Sequence, residues 1–203
     1  SFVVNGSVGD VTSPQIVNFS SMRYITLVSN IEGAGVLSGE GEYCTGDTVT
    51  IYASANDGYV FRNWTLDDVV VSYDTYYGFY ASEDATYMAN FEYLQQEELN
   101  SGWNWYSTYI TVEGEDGLEM MKEGLGEDAV QIKNHSAFAN YELGIWYGGL
   151  KEMSNEEMYM IKMSSPNTLE MTGTYDDPSS HPITLGTNWK WIGYPVNAAM
   201  SVD

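Results

Sequence analysis

The sequence is poor in cysteine, histidine and basic residues, and each shortage argues against a class of protein. Cys44 is the only cysteine, so no disulfide can form within the chain. One cysteine and two histidines do not make a zinc ligand set, and they are a weak basis for thiol catalysis. With 7 Lys and Arg residues against 29 Asp and Glu, the net charge of −22 argues against nucleic-acid phosphates and anionic membrane surfaces as partners.

Long apolar runs are also missing. No stretch approaches the roughly 18 to 20 apolar residues that cross a bilayer, so we expect no membrane insertion within this chain. The first residues lack the basic region and apolar run of a signal peptide, and we expect the chain to be a monomeric fragment of a larger protein. Hydrophobic residues nevertheless make up 43% and aromatic residues 14%, which is enough to bury a core.

Alternation of apolar and polar residues predicts a mainly β chain with three zones. Residues 1–22 are predicted to be an initial strand or a linker. Residues 23–94 contain short β-rich runs separated by turns such as Asn56-Asp57-Gly58, which indicates a β domain. Residues 95–203 are predicted to form a second β domain, with the polar segment Gln95–Glu98 as a hinge at its start.

The third zone, residues 95–203, contains an internal repeat built around tryptophan. Leu99–Trp105 recurs as Leu185–Trp191, and four of the six tryptophans lie in the two Trp-x-Trp pairs. Residues i and i+2 of a strand share a face, so each pair is predicted to set two indoles side by side in a strand. Between the repeats, the spacing of Leu118, Met121 and Leu125 predicts one short amphipathic helix.

Residues 24–93 contain, in order, Gly33-Ala34-Gly35, the run Tyr43–Ala53, the run Gly58–Trp64 and the closing run Asp84–Phe91. With these residues the segment resembles the divergent internalin B-repeat family of bacterial surface proteins. The resemblance implies a small β-grasp-like module without catalytic residues, of the kind found as spacers or adhesive units in secreted or wall-associated proteins.

Residues 99–203 contain, in order, Gly102–Trp105, Tyr141, Trp146–Leu150 and Asn188–Tyr194. With these parts the segment resembles a module of extracellular proteins from Bacteroidetes-type bacteria, in which a Gly-Trp-Asn-Trp strand opens the unit and a similar strand follows later. The resemblance implies no particular activity. The expected fold is therefore a small β-grasp-like repeat domain followed by a β-sandwich or barrel-like domain with one short helix.

Acidic residues are abundant, but their pattern does not indicate catalysis or a metal site. Neighbouring carboxylates occur at Glu113–Asp116, Asp67-Asp68 and Asp176-Asp177, all in predicted turns where solvated charge is normal. The spaced Asp pattern of a calcium loop is missing. We expect no catalytic residues, no metal ligands and no cofactor.

Aromatic residues are the better candidates for ligand binding, since sugar rings pack their C–H faces on indole and phenol rings. Core packing is favoured for the Trp-x-Trp pairs, because large aromatic side chains dominate small β cores. The exposed candidates are Tyr73, Tyr76, Tyr77, Tyr80, Trp146 and Tyr147.

The function that we predict is a non-enzymatic module of a bacterial cell-surface or secreted protein, acting as a spacer or an adhesion unit. The alternative is a carbohydrate-binding module that uses exposed aromatic platforms. An extracellular protein or a glycan is the expected partner, and the expected location is extracellular or on the cell surface. Exposed coplanar rings with converging polar groups favour binding, whereas buried rings favour a spacer.

Overall fold

The structure is a computed structural model that describes residues 2–4, 15–17, 21–112, 116–175, 177–180, 183–184, 187 and 189–197. The chain forms two compact units, one of Ser1–Asn56 and Phe61–Phe91, the other of Asp57–Val60 and Glu92–Asp203. Near the start, β1 (Phe2–Val4) and β2 (Gln15–Val17) pair antiparallel. No helix in the described part of the chain has both the length and the hydropathy that crossing a bilayer requires.

Apart from the β1–β2 pair, the described strands of the first unit form two sheets. In one, β6 lies between β4 and β9, and both pairings are antiparallel. In the other, β3 pairs antiparallel with β5 and parallel with β10, while β7 pairs with β10 and with β8. The strands are β3 (Met22–Ser29), β4 (Gly35–Ser38), β5 (Gly41–Cys44), β6 (Thr48–Ala55), β7 (Tyr59–Leu66), β8 (Val69–Ser72), β9 (Tyr76–Tyr80) and β10 (Ala85–Leu99).

The core of the first unit follows from the period-two pattern of these strands. Val49, Ile51 and Ala53 of β6 are fully buried, while the residues between them point to the opposite face. Trp64 and Phe91 are buried as well, and the Phe61 ring lies 5.7 Å from each of their ring centroids. Aromatic burial of this kind supplies much of the apolar area in a small β unit.

The second unit is built around a five-stranded antiparallel sheet in the order β11-β16-β13-β14-β15. Strand β17 pairs antiparallel with β12 and with the Tyr93–Leu99 part of β10. The elements are β11 (Gly102–Tyr106), β12 (Ile110–Thr111), α1 (Asp116–Leu125), β13 (Ala129–Lys133), β14 (Phe138–Glu142), β15 (Ile145–Gly148), β16 (Tyr159–Met163) and β17 (Asn167–Tyr175).

Helix α1 covers one side of this unit, as the spacing of its apolar residues predicts. Leu118, Met121 and Leu125 are buried and belong to one core cluster with residues such as Ile132 and Leu169. Gly126 follows with a φ of 60°, a left-handed conformation that ends helices readily when the residue is glycine. The mainly β architecture with one short helix is thereby confirmed.

The predicted hinge at Gln95–Glu98 is wrong, because these residues lie inside β10 and pair with β17. Gln95 is buried, and its amide donates to Ser107 O at 2.9 Å and accepts from Thr108 Oγ1 at 2.8 Å. The polar side chains of this segment therefore form hydrogen bonds on a sheet, and the segment is not a flexible link. The domain division at residue 94 stays a prediction.

Candidate functional site

The outer face of the five-stranded sheet presents two exposed indoles. In β11, Tyr106 turns into the core, whereas Trp103 and Trp105 are 43% and 57% exposed. The prediction that this Trp-x-Trp pair is core is therefore wrong. The i, i+2 spacing places both rings on one face of the strand. Which face of the strand is buried depends on the packing of Tyr106 into the core and on the neighbouring strands.

The pairing register shows which side chains lie beside these indoles. Trp103 is opposite Lys162, which is opposite Gln131. Trp105 is opposite Met160, which is opposite Lys133. Directly paired residues of neighbouring strands project on the same side of a sheet, so lysines and indoles share the outer face.

The two lysines are held close to aromatic rings. Lys133 Nζ lies 4.5 Å from the ring centroid of Trp103 and 6.0 Å from that of Trp191, and Lys162 Nζ lies 5.8 Å from Trp103. These distances are within the range of cation–π attraction. Neither ammonium forms an ion pair with a carboxylate of the described residues. We call Trp103, Trp105, Lys133, Lys162 and Trp191 the indole–lysine face.

The second copy of the repeat contributes to this face without forming a second strand. Residues 189–191 are not in a strand, and Trp189 is 94% exposed. Trp191 instead packs edge-on against Trp105, with ring centroids 5.3 Å apart and planes at 73°. The rest of that copy includes Leu185, Gly186 and Asn188, which lie outside the described residues.

The predicted tyrosines lie in the first unit, and the structure divides them between two faces. Tyr76 and Tyr80 are 63% and 72% exposed on the outer side of β9, and Tyr73 is exposed in the loop before that strand. The Tyr76 ring stacks on Tyr52 with centroids 4.3 Å apart. Tyr77 points to the other side of β9, where its ring packs 6.0 Å from Tyr87.

Trp146 and Tyr147 were both predicted to be exposed, but successive strand residues point to opposite faces. Trp146 packs partly buried against the core, with its ring 5.2 Å from that of Tyr141. Tyr147 is 49% exposed on the outer face, and its hydroxyl donates to Glu142 Oε2 at 3.1 Å. The two rings therefore serve different sides of the sheet.

The acidic clusters have structural explanations. Asp67 and Asp68 form the tight turn between β7 and β8, with φ angles of 50° and 62°. Asp67 also lines a cavity of about 360 Å³ together with Glu83 and Asp84, and Asp84 Oδ1 accepts from Tyr24 N at 3.0 Å. The described residues contain no group of three or more potential ligand side chains arranged to hold a metal ion.

The remaining acidic candidates are near the limits of the described segments. Asp177 accepts a hydrogen bond from Ser179 N at 2.9 Å, and this bond lowers the pKa of the Asp177 carboxyl. Glu113, Glu115 and Asp176 lie outside the described residues, as does the side chain of Asp116.

The lysines of the indole–lysine face were missed in the sequence. The signal was present, since Gln131 and Lys133 alternate with buried residues in β13, as Lys162 does in β16. A strand pattern shows that such residues face outward, but not which tryptophans lie across the sheet from them. Only the strand order brings β11, β16 and β13 together.

Comparison with known proteins yields one family match, in the first half of the chain. No curated protein and no solved structure matches the chain at a significant level. The module resemblance of residues 99–203 therefore stays an expectation. Residues 25–95 match the family model described as the Divergent InlB B-repeat domain, which is generally non-catalytic and typical of bacterial surface proteins.

Proposed function

We propose that this chain is a non-enzymatic adhesion or interaction module of a bacterial cell-surface or secreted protein, and that it binds its partner through the indole–lysine face. The B-repeat match of residues 25–95 supports the setting. The observation that carries the binding role is the paired exposure of Trp103 and Trp105 on one sheet face.

Contact of such indole rings with water is unfavourable in free energy unless a partner covers the rings. Large aromatic residues exposed side by side mark interaction sites more often than inert surface. Trp105 packs on Trp191, and Trp103 lies against two lysines, so the rings are held in place before a partner arrives. Rigid aromatic side chains give contact area at a small cost in conformational entropy. A spacer has no use for this arrangement, which favours the adhesion role.

The test compares the chain with a Trp103→Ala/Trp105→Ala double variant. Both are coupled to beads and passed over panels of immobilised extracellular proteins and of neutral and acidic polysaccharides. We expect the native chain to be retained on at least one surface and the double variant to lose about tenfold or more of that retention, since buried aromatic anchors dominate interface energies. Val69→Ala, which shortens an exposed side chain in the other unit, is the control and should bind normally.

Retention of the double variant at the native level would refute the proposed binding face. Absence of retention on every surface would favour the spacer role. Circular dichroism spectra of the variants should match that of the native chain, because both indoles lie on the outer side of β11.

A second candidate function is carbohydrate binding by the tyrosines of the first unit. Gly78 lies between Tyr76 and Tyr80 on the outer side of β9 and leaves the space between the two rings open. The paired positions on β6 are Thr48, Thr50 and Tyr52, so this face carries no charge. An uncharged aromatic face of this kind suits a neutral glycan.

A glycan array tests this second candidate. We expect binding of a neutral oligosaccharide that Tyr76→Ala and Tyr80→Ala weaken and that Trp105→Ala leaves unchanged. An array without any bound glycan, or binding that is insensitive to both tyrosine variants, would reject it.

A further inference from the structure

The charge of the indole–lysine face is opposite to that of the chain. The chain has 7 basic residues and a net charge of −22, yet two of those basic residues, Lys133 and Lys162, lie on this one face. Both are partly buried, and neither is neutralised by a carboxylate of the described residues. Partly buried cations without a counter-ion favour an anionic ligand.

The aromatic rings position these cations. Trp103 has Lys133 Nζ 4.5 Å and Lys162 Nζ 5.8 Å from its ring centroid, so one indole restrains both ammonium groups. Cation–π contacts limit the rotamers of the long lysine side chains, and less entropy is then lost when an anion binds. Trp103 therefore acts as a positioning residue for the two lysines.

Beside the cations lies an apolar surface. Trp105 is 57% exposed, and Trp191 meets it at an angle of 73°, so the two indoles form an open corner. Strand β13 carries Gln131 opposite Lys162, and the Gln131 amide donates to Asn140 Oδ1. An amide nitrogen has a second hydrogen and an amide oxygen has two lone pairs, which leaves hydrogen-bonding capacity for hydroxyl groups.

We propose that the indole–lysine face binds an acidic polysaccharide that carries carboxylates and no sulfate. A sugar acid combines, within one ring, a C–H face for the indole corner, a carboxylate for the lysines and hydroxyls for the amides. The proposal rests on the adhesion function and names the ligand of that same face.

Ligand charge density separates this class from other polyanions. Heparin-like chains and nucleic acids carry closely spaced negative charges. The net charge of −22 on the protein repels such chains more strongly than two lysines attract them. A polymer with a single carboxylate on each sugar or disaccharide meets less repulsion. Glu142 lies on β14, which follows β13 in the strand order, so the anion belongs on the side of β11, β16 and β13.

The experiment measures binding of the full chain to alginate and to hyaluronan by biolayer interferometry. Carboxyl-reduced alginate, which keeps the sugar backbone without the charge, is the matched ligand control, and heparin represents dense sulfate. The variants are Lys133→Gln/Lys162→Gln and Trp105→Ala. Lys151→Gln is the control, because it removes a lysine that is exposed and lies outside these strands.

We expect alginate or hyaluronan to bind, and both the double lysine variant and Trp105→Ala to lose about tenfold or more in affinity. Lys151→Gln should stay within about twofold of the native chain, as expected for an isolated surface charge. Reduction of the carboxyl groups should weaken binding to the same extent as the double lysine variant, and added salt should weaken native binding.

Three results would overturn the proposal: equal binding of carboxyl-reduced alginate, no effect of the double lysine variant, or stronger binding to heparin than to either carboxylate polymer. If no acidic polysaccharide binds but Trp103→Ala/Trp105→Ala abolishes retention on a protein-coated surface, the ligand assignment fails and the adhesion function stands. If neither kind of surface retains the chain, both fail.

Discussion

The buried hydroxyl of Tyr106 allows a test of whether the hydrogen bonding of buried polar groups controls the stability of the second unit. Tyr106 is 3% exposed, and its hydroxyl has no hydrogen-bond partner among the described residues. Thr108 lies near it, but Thr108 Oγ1 donates to Gln95 Oε1 and accepts from Ile110 N at 2.9 Å. Burial raises the pKa of Tyr106 far above its ordinary value, because the charged form would be desolvated.

Tyr106→Phe removes this hydroxyl and keeps the ring in the core. A buried polar group without a partner costs about 1–3 kcal/mol, so the free energy of unfolding should rise by about 1 kcal/mol or more. For a chain of this length, that corresponds to a rise in Tm of about 2–4 °C per kcal/mol.

Tyr159→Phe is the matched comparison with the opposite expectation. Tyr159 is also fully buried, but its hydroxyl accepts a hydrogen bond from Ser154 N at 2.7 Å. Removal of that acceptor leaves the Ser154 amide unpaired and should lower the free energy of unfolding by about 1 kcal/mol.

Urea denaturation followed by tryptophan fluorescence measures both variants, and an unchanged m value shows that the unfolding reaction is the same. A Tyr106→Phe variant that is less stable than the native chain would refute the reasoning. Equal destabilisation by both variants would do so as well, because ring packing alone would then decide stability.

Three further predictions concern pH, backbone conformation and the continuity of β10. Burial raises the pKa of Tyr159 from 10.0 to about 12, because the folded state favours the neutral phenol. The free energy of unfolding should therefore be unaffected below pH 10 and should fall by on the order of 2 kcal/mol as the pH rises towards 12. Tyrosinate absorbance and circular dichroism should show alkaline unfolding in that interval, and constant stability across it would contradict the assignment. Gly148 has a φ of 142°, and a Cβ at this position would meet Phe138 O, so Gly148→Ala should lower Tm by several degrees. Gly149→Ala is the control and should change Tm little, because a Cβ there would enter open space. Equal Tm values for the two variants would count against this explanation. Amides of residues 95–98 that pair with β17 should exchange slowly with deuterium, and fast exchange or first proteolytic cleavage there would restore the hinge.

Local periodicity accounts for the parts of the fold that were predicted correctly. Alternation in Thr48–Ala55 marks β6, and the spacing of Leu118, Met121 and Leu125 marks α1, because these patterns reflect side-chain geometry within one element. The B-repeat motifs were recognised by their resemblance to a known family, and residues 25–95 match the model of that family.

The errors arose where the outcome depends on distant residues. The polar segment Gln95–Glu98 lies in a strand because β17, 70 or more residues later, supplies its hydrogen-bond partners. The exposure of Trp103 depends on which face of β11 the core occupies, and strand spacing is the same for both faces.

The amino-acid sequence by itself determined the mainly β character, the short helix α1, the strongly negative charge and the aromatic richness from which a binding surface is made. Only the tertiary structure decided that Trp103 and Trp105 face outward and that Lys133 and Lys162 lie beside them. The physical reason is that strand propensity and alternation are local, whereas strand order and the side on which a sheet is buried depend on pairings between segments that are far apart in the chain.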